Sequence, residues 1–335
     1  PDASLTNGAR SSPAVTTCPV IARATTTFPK SESENTINLS TSTPVPDIQN
    51  MEIKMEKQLE EIRELQKASW DKFSPGWKKW DALMMDFLKP VGDEIIRSIN
   101  PKDTDFVLDI AGGTGEPGFT IASKLKGGKV MITDLSEKML EIAKEYAKER
   151  GINNIETRAC DVSELPFADN TFDAISCRFG FMFFPDMLLA AKEMVRVLKP
   201  GGRIAVAVWN GPEKNFWVTA VGSTINRNMQ LSPPSPEAPG MFRCAKEGLL
   251  QGLFQQAGFR NTSEKEVVGK LDCKTADVYW NMMTEVAAPF VAALSQADDV
   301  MKEKIKSEVY QALAEKYPDG NVTIDSSALV IYGEK

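Results

Sequence analysis

The sequence predicts an α/β fold built on a doubly wound, mostly parallel sheet. From about residue 103 onward, short apolar runs alternate with amphipathic segments of helical periodicity. The first of these runs lead directly into glycines or aspartates, as buried parallel strands do where they enter a loop. Because strands and helices alternate, we expect helices on both faces of the sheet. Ligands of such sheets bind beyond the carboxyl ends of the strands.

The predicted elements follow in order along the chain. The strands are expected at 105–110, 129–133, 154–160, 172–177, 203–209, 262–272 and 327–332. The helices are expected at 117–125, 136–150, 186–198, 246–257, 275–296 and 297–317. Pro117 suits the first turn of its helix, and Ser136 and Asp186 can cap theirs. Residues 99–335 therefore form the main domain.

Residues 1–50 differ in composition from the rest of the chain. They are rich in Ser, Thr and Pro, and they have too few apolar residues to offset the entropy of ordering. The segment is expected to be a disordered tail. The alternative is a targeting segment, because transit peptides are Ser-rich and acid-poor. The expected location is the cytoplasm, or a mitochondrion or plastid if the segment targets the protein.

Residues 51–98 are expected to form cap helices ahead of the sheet. An amphipathic helix covers 51–72, and Pro75-Gly76 is expected to break it from the next helix. Three tryptophans lie close together here, so the cap either packs as core or covers a ligand. Two insertions, an irregular one at about 211–243 and a helical one at 275–318, are expected to form a substrate lid.

Composition excludes several classes of function. The net charge of −7 does not favour nucleic acid, and no apolar run reaches the ~18 residues of a membrane span. Five cysteines include no CxxC pair, so neither a metal site nor a disulfide framework is expected. The chain has no histidine, which excludes histidine bases and Ser-His-Asp triads. The composition does not indicate the oligomeric state.

A glycine-rich turn, VLDIAGGTGEPG at 107–118, follows the first predicted strand. Gly113 and Gly115 allow the backbone to turn tightly and to approach a ligand closely. The helix that follows offers unpaired N–H groups to an anion. The spacing also fits the dinucleotide fingerprint, so a NAD-dependent oxidoreductase is one interpretation.

The acidic residues around this turn favour a different cofactor. Asp109 precedes Gly113 by four residues, and its carboxylate would repel a pyrophosphate but attract an ammonium group. Asp134 ends the second strand, where a carboxylate can accept both ribose hydroxyls. Asp161 ends the third strand and can accept from an adenine amino group, with Val162 against the ring. A ligand that is zwitterionic at one end and a nucleoside at the other is S-adenosylmethionine.

Four motifs carry a resemblance to a known family. DIAGGTG, ITDLSEKML, ACDVSELPFADNTFDAISC and LKPGGRIAV stand in the order and spacing of the class I S-adenosylmethionine-dependent methyltransferases. The sequence is most similar to their ubiquinone/menaquinone-biosynthesis type, which methylates small molecules. The resemblance covers residues 100–210 well and the remainder only as topology. It implies a Rossmann-like seven-stranded sheet, with the helical insertion before the last strand.

The resemblance also implies roles for individual residues. The implied cofactor contacts are Asp109, Ala111, Gly113, Gly115, Asp134, Leu135, Met139, Asp161, Val162, Cys177 and Arg178. Asp109 would lie by the methionine ammonium, Asp134 by the ribose and Leu135 by the adenine face. The chain departs from the family at Ala111, where the family has its first glycine, and in RFGFMFFPD at 178–186.

The expected reaction is methyl transfer to a small, partly apolar acceptor that is aromatic, phenolic or an amine. The enzyme would align nucleophile, methyl and sulfur for in-line displacement in a dry pocket, so no dedicated base is required. Candidates for a catalytic role are Arg178, Tyr279 and Glu285. A protein methyltransferase is the alternative, and a NAD-dependent oxidoreductase is a further one.

Overall fold

A computed structural model of the protein describes residues 48–231, 235 and 237–335, without the side chains of 48–53 and 55. The described helices are α1 Ile48–Lys79, α2 Asp81–Ile99, α3 Gly118–Lys124, α4 Glu137–Glu149, α5 Met187–Val197, α6 Phe216–Met229, α7 Leu249–Ala257, α8 Ala276–Val286, α9 Ala288–Leu294 and α10 Asp299–Lys316. The strands are β1 Phe106–Ile110, β2 Lys129–Asp134, β3 Ile155–Ala159, β4 Phe172–Arg178, β5 Leu198–Trp209, β6 Arg260–Lys274 and β7 Val322–Glu334. The predicted tail or targeting segment falls almost wholly outside the described residues.

The seven strands form one sheet in the order β3-β2-β1-β4-β5-β7-β6. Strands β1 to β5 are parallel to their neighbours, whereas β7 runs antiparallel to both β5 and β6. The prediction of a doubly wound, mostly parallel sheet is confirmed. The strand order reverses between β1 and β4, so the crevice for a ligand opens at their carboxyl ends. The register sets Asp109 of β1 beside Ser176 of β4 at this point.

The N-terminal helix corrects one prediction. α1 continues through Pro75 and Gly76 and ends only at Lys79, so the expected break lies four residues later. Pro75 has no N–H for the carbonyl of Asp71, and the hydroxyl of Ser74 donates to that carbonyl at 3.0 Å instead. Gly76 faces the carbonyl of Glu285 in α8, and a Cβ there would overlap it. Pro75 and Gly76 thus permit a close helix crossing without ending the helix.

The two insertions also differ from expectation. The region 211–243 contains helix α6, where Trp217, Val221 and Ile225 are buried at a spacing of four residues. We expected irregular structure there because of the flanking prolines. The single helix expected over 275–296 is two helices, α8 and α9, because the Pro289 ring in a continuous helix would clash with the carbonyl four residues earlier. None of the described helices is both long and apolar enough to cross a bilayer.

Candidate active site

A cavity of about 390 Å³ lies over the carboxyl ends of β1 to β5. One part of its wall comes from the turns that follow the strands, with glycines and carboxylates. We call this part the nucleoside half, lined by Ala111, Gly112, Gly113, Thr114, Asp134, Leu135, Met139, Cys160, Asp161 and Val162. The other part, the apolar half, comes mainly from helices and is lined by Trp77, Met84, Met85, Leu88, Phe179, Trp209, Trp217, Val218, Met282, Met283, Val286 and Phe290.

The glycine turn after β1 forms an open cradle. Gly113 has a φ of +55°, and a Cβ at this position would meet nothing within 4 Å, so the backbone faces free space in the cavity. Gly115 has a φ of +117°, and any side chain there would overlap the ring of Phe119. Only glycine combines this conformation with the packing beneath it. The turn can therefore hold a ligand close to its backbone, as the sequence predicts.

Asp109 supports the turn from below. Its side chain is fully buried and is not part of the cavity wall. One carboxylate oxygen accepts from the hydroxyl of Ser176 at 2.6 Å, and the other accepts from the N–H of Gly118 at 3.0 Å. Burial raises the pKa of Asp109 to about 7 against the opposing effect of these donors. These hydrogen bonds let Asp109 hold the glycine turn in place, and the contact of its carboxylate with an ammonium group stays a prediction.

Asp134 lies at the end of β2 in the cavity wall. Its oxygens accept from the N–H of Gly113 at 3.0 Å and from the N–H of Ser136 at 2.8 Å. Burial raises the pKa of Asp134 to about 6, while the backbone donors oppose the shift. The carboxylate is thus fixed beside the glycine turn, and its remaining lone pairs can accept ribose hydroxyls.

Leu135, Met139 and Val162 lie together in the same wall and offer apolar surface to a flat ring. Asp161, at the end of β3, accepts from the N–H of Ser163 at 2.7 Å. Its other oxygen is 2.5 Å from Nε of Arg63, which α1 brings across the cavity. Sequence reasoning missed Arg63, because an arginine in an amphipathic helix carries no local signal of such a contact.

Ala111 is accommodated by an empty space opposite it. The residue has a φ of +52°, a conformation that is uncommon for a residue with a side chain. A Cβ at Gly180 would overlap the methyl of Ala111, and it would lie 3.2 Å from the sulfur of Cys177. Ala111 and Gly180 are thus complementary in size. Cys177 is fully buried beneath this contact, so it supports the wall without forming it.

Arg178 ends β4 and lines the cavity where the two halves meet. Its guanidinium donates to the sulfur of Met85 at 3.5 Å. Burial lowers the pKa of Arg178, although Glu116 and Asp109 oppose this through their charges. Within the described part of the chain, no carboxylate forms an ion pair with it.

The helix α1 covers the nucleoside half. The amide of Gln66 donates to the carbonyl of Phe183 at 2.7 Å, and Trp70 packs edge-to-face on the Phe183 ring at 5.5 Å. Asp71 accepts from the hydroxyl of Ser136, the residue that caps α4. Of the two interpretations of the tryptophan-rich segment, these contacts favour a cover over a ligand. The helix reaches both the ribose and the adenine sides of the predicted nucleoside site.

The apolar half is packed with aromatic rings and methionines. Phe179 and Trp209 stack with centroids 4.0 Å apart, and Trp217 tilts against Trp209 at 4.8 Å. Phe179 has a φ of +62°, which directs the chain after β4 into this wall. A pocket of this kind excludes water and suits an aromatic or alkyl group.

Two of the candidate catalytic residues lie outside the cavity. Tyr279 is fully buried, and its hydroxyl donates to the carbonyl of Trp217 at 2.7 Å. Glu285 pairs with Lys79 at 2.7 Å and accepts from Nε1 of Trp80 at 3.0 Å, which holds α1 against α8. Both residues have structural partners that account for them. Arg178 is the candidate that the structure brings into the cavity.

Comparison with known proteins agrees with this architecture. The model of the ubiE/COQ5 methyltransferase family matches residues 81–220. The "Ubiquinone/menaquinone biosynthesis C-methyltransferase UbiE" of Cellvibrio japonicus is 34% identical over 174 residues, which are 49% of this chain and 70% of the relative. The "Demethylmenaquinone methyltransferase" of Bacillus subtilis is 31% identical over 193 residues, which are 53% of this chain and 80% of the relative.

The solved structure of the YcgJ protein from Bacillus subtilis matches with a TM-score of 0.50 at 19% identity. The match covers 73% of this chain and 97% of that one, and it supports the fold alone. The sheet, the glycine turn and the cavity define a class I methyltransferase. The chain belongs to the ubiE/COQ5 methyltransferase family, and it is an enzyme that uses S-adenosylmethionine as its cofactor. The interpretation as a NAD-dependent oxidoreductase is wrong.

Proposed function

We propose that the enzyme transfers a methyl group from S-adenosylmethionine to a small aromatic acceptor that binds in the apolar half of the cavity. The observation that carries this proposal is the division of one cavity into two chemically different halves. The relatives named above carry out methylation in ubiquinone and menaquinone biosynthesis, according to their names. An acceptor of related chemistry, with an oxygen-bearing ring and an apolar substituent, fits an aromatic and methionine-rich wall.

The nucleoside half is suited to hold the cofactor. We infer that Asp134 accepts the ribose hydroxyls, that Leu135, Met139 and Val162 contact the adenine, and that the backbone around Gly113 contacts the amino-acid end. Asp161 is the candidate acceptor for the adenine amino group. When bound, the cofactor supplies an electrophilic methyl group on a sulfonium. Asp109 and Gly115 fix the turn, and Cys177 packs behind it.

The acidic side chains of the cavity wall are already engaged. Glu116 accepts from the hydroxyl of Thr120 at 2.7 Å and lies 3.5 Å from Arg150. Asp134 and Asp161 accept backbone N–H donors and fix their turns. Together with the absence of histidine from the sequence, this favours an acceptor that reacts without a strong base. A phenolate or a carbanion stabilised by a ring oxygen meets that condition.

The chain contributes proximity and exclusion of water. The aromatic wall, α1 and α9 surround the region where the two halves meet, so the acceptor and the methyl group react in an apolar environment. A protein methyltransferase is a weaker alternative, because this enclosed cavity suits a compact ligand better than a segment of another protein. The lid predicted from 211–243 and 275–318 corresponds in this proposal to the cavity-lining residues Val218, Pro239, Met241, Met282, Met283 and 286–290.

The experiment uses the purified enzyme with S-adenosylmethionine labelled on its methyl group. The enzyme is incubated separately with a cell-derived small-molecule extract and with a dialysed protein lysate. We expect label in the organic-soluble fraction of the first reaction and none in the protein of the second. The Asp134→Ala variant, at a cofactor concentration well below saturation, serves as a control with reduced labelling, and Asp169→Ala, at an exposed position, serves as the matched active control. Label that enters protein alone would contradict the proposal.

A further inference from the structure

Two hydrogen-bond donors in the cavity wall lack an oxygen partner among the described residues. The first is Nε1 of Trp77 in α1, which is buried and has no partner. The second is the guanidinium of Arg178, whose one side-chain acceptor in the described chain is the thioether of Met85. A thioether is a weak acceptor, so neither donor has a strong hydrogen-bond partner among the described residues.

Such donors are costly unless something binds them. Leaving a buried donor unsatisfied destabilises the protein, and more so when the group is charged. Other indoles nearby do have acceptors, since Nε1 of Trp217 donates to Asn215 at 3.1 Å and Nε1 of Trp80 donates to Glu285 at 3.0 Å. Trp77 therefore differs from these two tryptophans in having no acceptor for its N–H. Its ring belongs to the apolar half of the cavity wall.

The positions of the two donors suit an acceptor with polar atoms at two places. Arg178 lies where the nucleoside half meets the apolar half, next to Met85 of α2. Trp77 lies in the apolar half, on the helix that covers the cavity, and its ring is 6.5 Å from the ring of Trp70. Trp77 lies outside the segment that the family model matches, so the family match says nothing about it.

We propose that Arg178 and Trp77 together bind the methyl acceptor, with Arg178 holding an ionised oxygen and Trp77 donating to a second, neutral oxygen. This inference rests on the proposed function and adds to it the charge state and polarity of the acceptor. Arg178 stabilises the anionic form of the acceptor, which is the nucleophilic form, in an apolar pocket. Trp77 orients the ring of the acceptor by donating to the oxygen that lies farther from Arg178. Both are specificity-determining residues for the transfer.

A competing use of Arg178 is an ion pair with the carboxylate of the cofactor. The guanidinium lies near the end of the glycine turn. A Cβ built on Gly92 would be 3.7 Å from Nη1 of Arg178 and 3.8 Å from Cβ of Pro117, so Gly92 lies between the two. The two uses predict different losses when Arg178 is replaced. Binding of the cofactor product falls in one case, and binding of the acceptor falls in the other.

The probe is 4-nitrophenol, which has an ionisable oxygen at one end and a nitro group at the other, and whose ionised form absorbs visible light. It is titrated with pH in the presence of the full-length enzyme saturated with S-adenosylhomocysteine. In the wild type we expect the pKa of the bound probe to be lower than that of the free probe, because Arg178 favours the phenolate. In Arg178→Met we expect it to be higher than that of the free probe, because the apolar pocket then favours the neutral phenol.

Affinity gives a second readout. Loss of a charge-assisted hydrogen bond in Arg178→Met should weaken binding of the phenolate by about 10- to 100-fold, with partial recovery in Arg178→Lys. Trp77→Phe keeps the ring and removes the N–H, so it should weaken binding by about 2- to 10-fold without moving the pKa of the probe. Arg260→Met, at an exposed position of β6, and Trp280→Phe, outside the cavity wall, are the matched controls.

Each remaining outcome is decisive. If Arg178→Met lowers affinity for S-adenosylhomocysteine and leaves the probe unaffected, Arg178 belongs to the cofactor and the inference is overturned. It is also overturned if the wild type does not bind the probe or does not shift its pKa. In either case transfer of labelled methyl groups to the small-molecule fraction still decides the proposed function separately. Unchanged affinity for S-adenosylhomocysteine in every variant demonstrates that the variants are folded.

Discussion

The two halves of the cavity are built in different ways. In the nucleoside half, each key residue directly follows a strand, and its contacts are close in sequence or in the strand register, as with Asp134, Gly113 and Ser136. The apolar half joins distant parts of the chain, such as Trp77 of α1, Trp209 of β5 and Met282 of α8. The sheet sets the geometry of the first half, whereas the packing of helices sets that of the second. A fold can serve different acceptors when such a helical wall differs between its members.

The largest expected effect is the loss of cofactor affinity when a residue of the nucleoside half is replaced. Replacement of Asp134 by Ala removes the proposed acceptor for the ribose and the partner of the Gly113 N–H. We expect affinity for S-adenosylhomocysteine to fall by about 10- to 100-fold, measured by isothermal titration calorimetry. Binding of an aromatic probe in the apolar half should change far less. Equal losses in both halves would mean that the variant has lost its fold.

A second prediction concerns the fit between Ala111 and Gly180. In Gly180→Ala the new methyl overlaps that of Ala111, and overpacking of this kind costs about 1–3 kcal/mol of stability. The double variant Ala111→Gly with Gly180→Ala should recover most of that loss in chemical denaturation. Ala111→Gly alone should be nearly neutral, because it also relieves the positive φ. Additive effects of the two substitutions would contradict the contact.

A third prediction uses the pH dependence of stability. The folded pKa of Asp109 is about 7, whereas an unfolded aspartate titrates near ~4. Between these values the folded protein binds a proton that the unfolded chain has released, so stability falls as pH rises from ~4 to ~7 and then levels off. Asp109→Asn should weaken this slope in thermal melts.

Asp134 also contributes to this pH dependence of stability, and a substitution at Asp169 provides the control. Asp134, with a pKa of about 6, acts with the same sign, so Asp109→Asn should reduce the slope without abolishing it. Asp169→Asn, at an exposed ion pair with Arg196, should leave the slope as it is in the wild type. An unchanged slope in Asp109→Asn would refute the buried, proton-binding state of that carboxyl.

The smallest expected effect concerns the helix that covers the nucleoside half. Arg63→Gln removes the contact with Asp161, and partly exposed ion pairs contribute about 0.2–1 kcal/mol. We expect S-adenosylhomocysteine to dissociate about 2- to 5-fold faster in stopped-flow measurements. Lys67→Gln, whose ammonium is 3.8 Å from Glu137, is the matched control and should dissociate at the wild-type rate.

The comparison of the two halves also explains what could be predicted from the sequence. The sheet and the positions of Asp134, Gly113 and Val162 follow from local patterns, because strand ends and glycine turns have short sequence signals. The continuation of α1 through Pro75 does not follow from a local pattern. It depends on the hydroxyl of Ser74 and on the close approach of a carbonyl in the distant helix α8. The break before α9 depends on Pro289, a local signal that the prediction of one helix over 275–296 does not include.

The functional residues divide in the same way. Asp109 and Asp134 are both acids at strand ends, and only the structure shows that Asp109 is buried beneath the cavity whereas Asp134 lies in the cavity wall. Tyr279 and Glu285 resemble catalytic residues in sequence, and their partners, the Trp217 carbonyl and Lys79, are long-range contacts that no spacing predicts. Trp77 gave a signal as part of a tryptophan cluster, although its unpartnered N–H became visible only in the fold.

A crystal structure of the enzyme with S-adenosylhomocysteine is the most direct measurement of how the two halves share the reaction. The account predicts ribose hydroxyls on Asp134, adenine between Leu135 and Val162, and the homocysteine end along the turn at Gly113. The apolar half should remain free for an acceptor. A nucleoside bound among Met84, Trp209 and Met282, with the glycine turn left uncontacted, would contradict it.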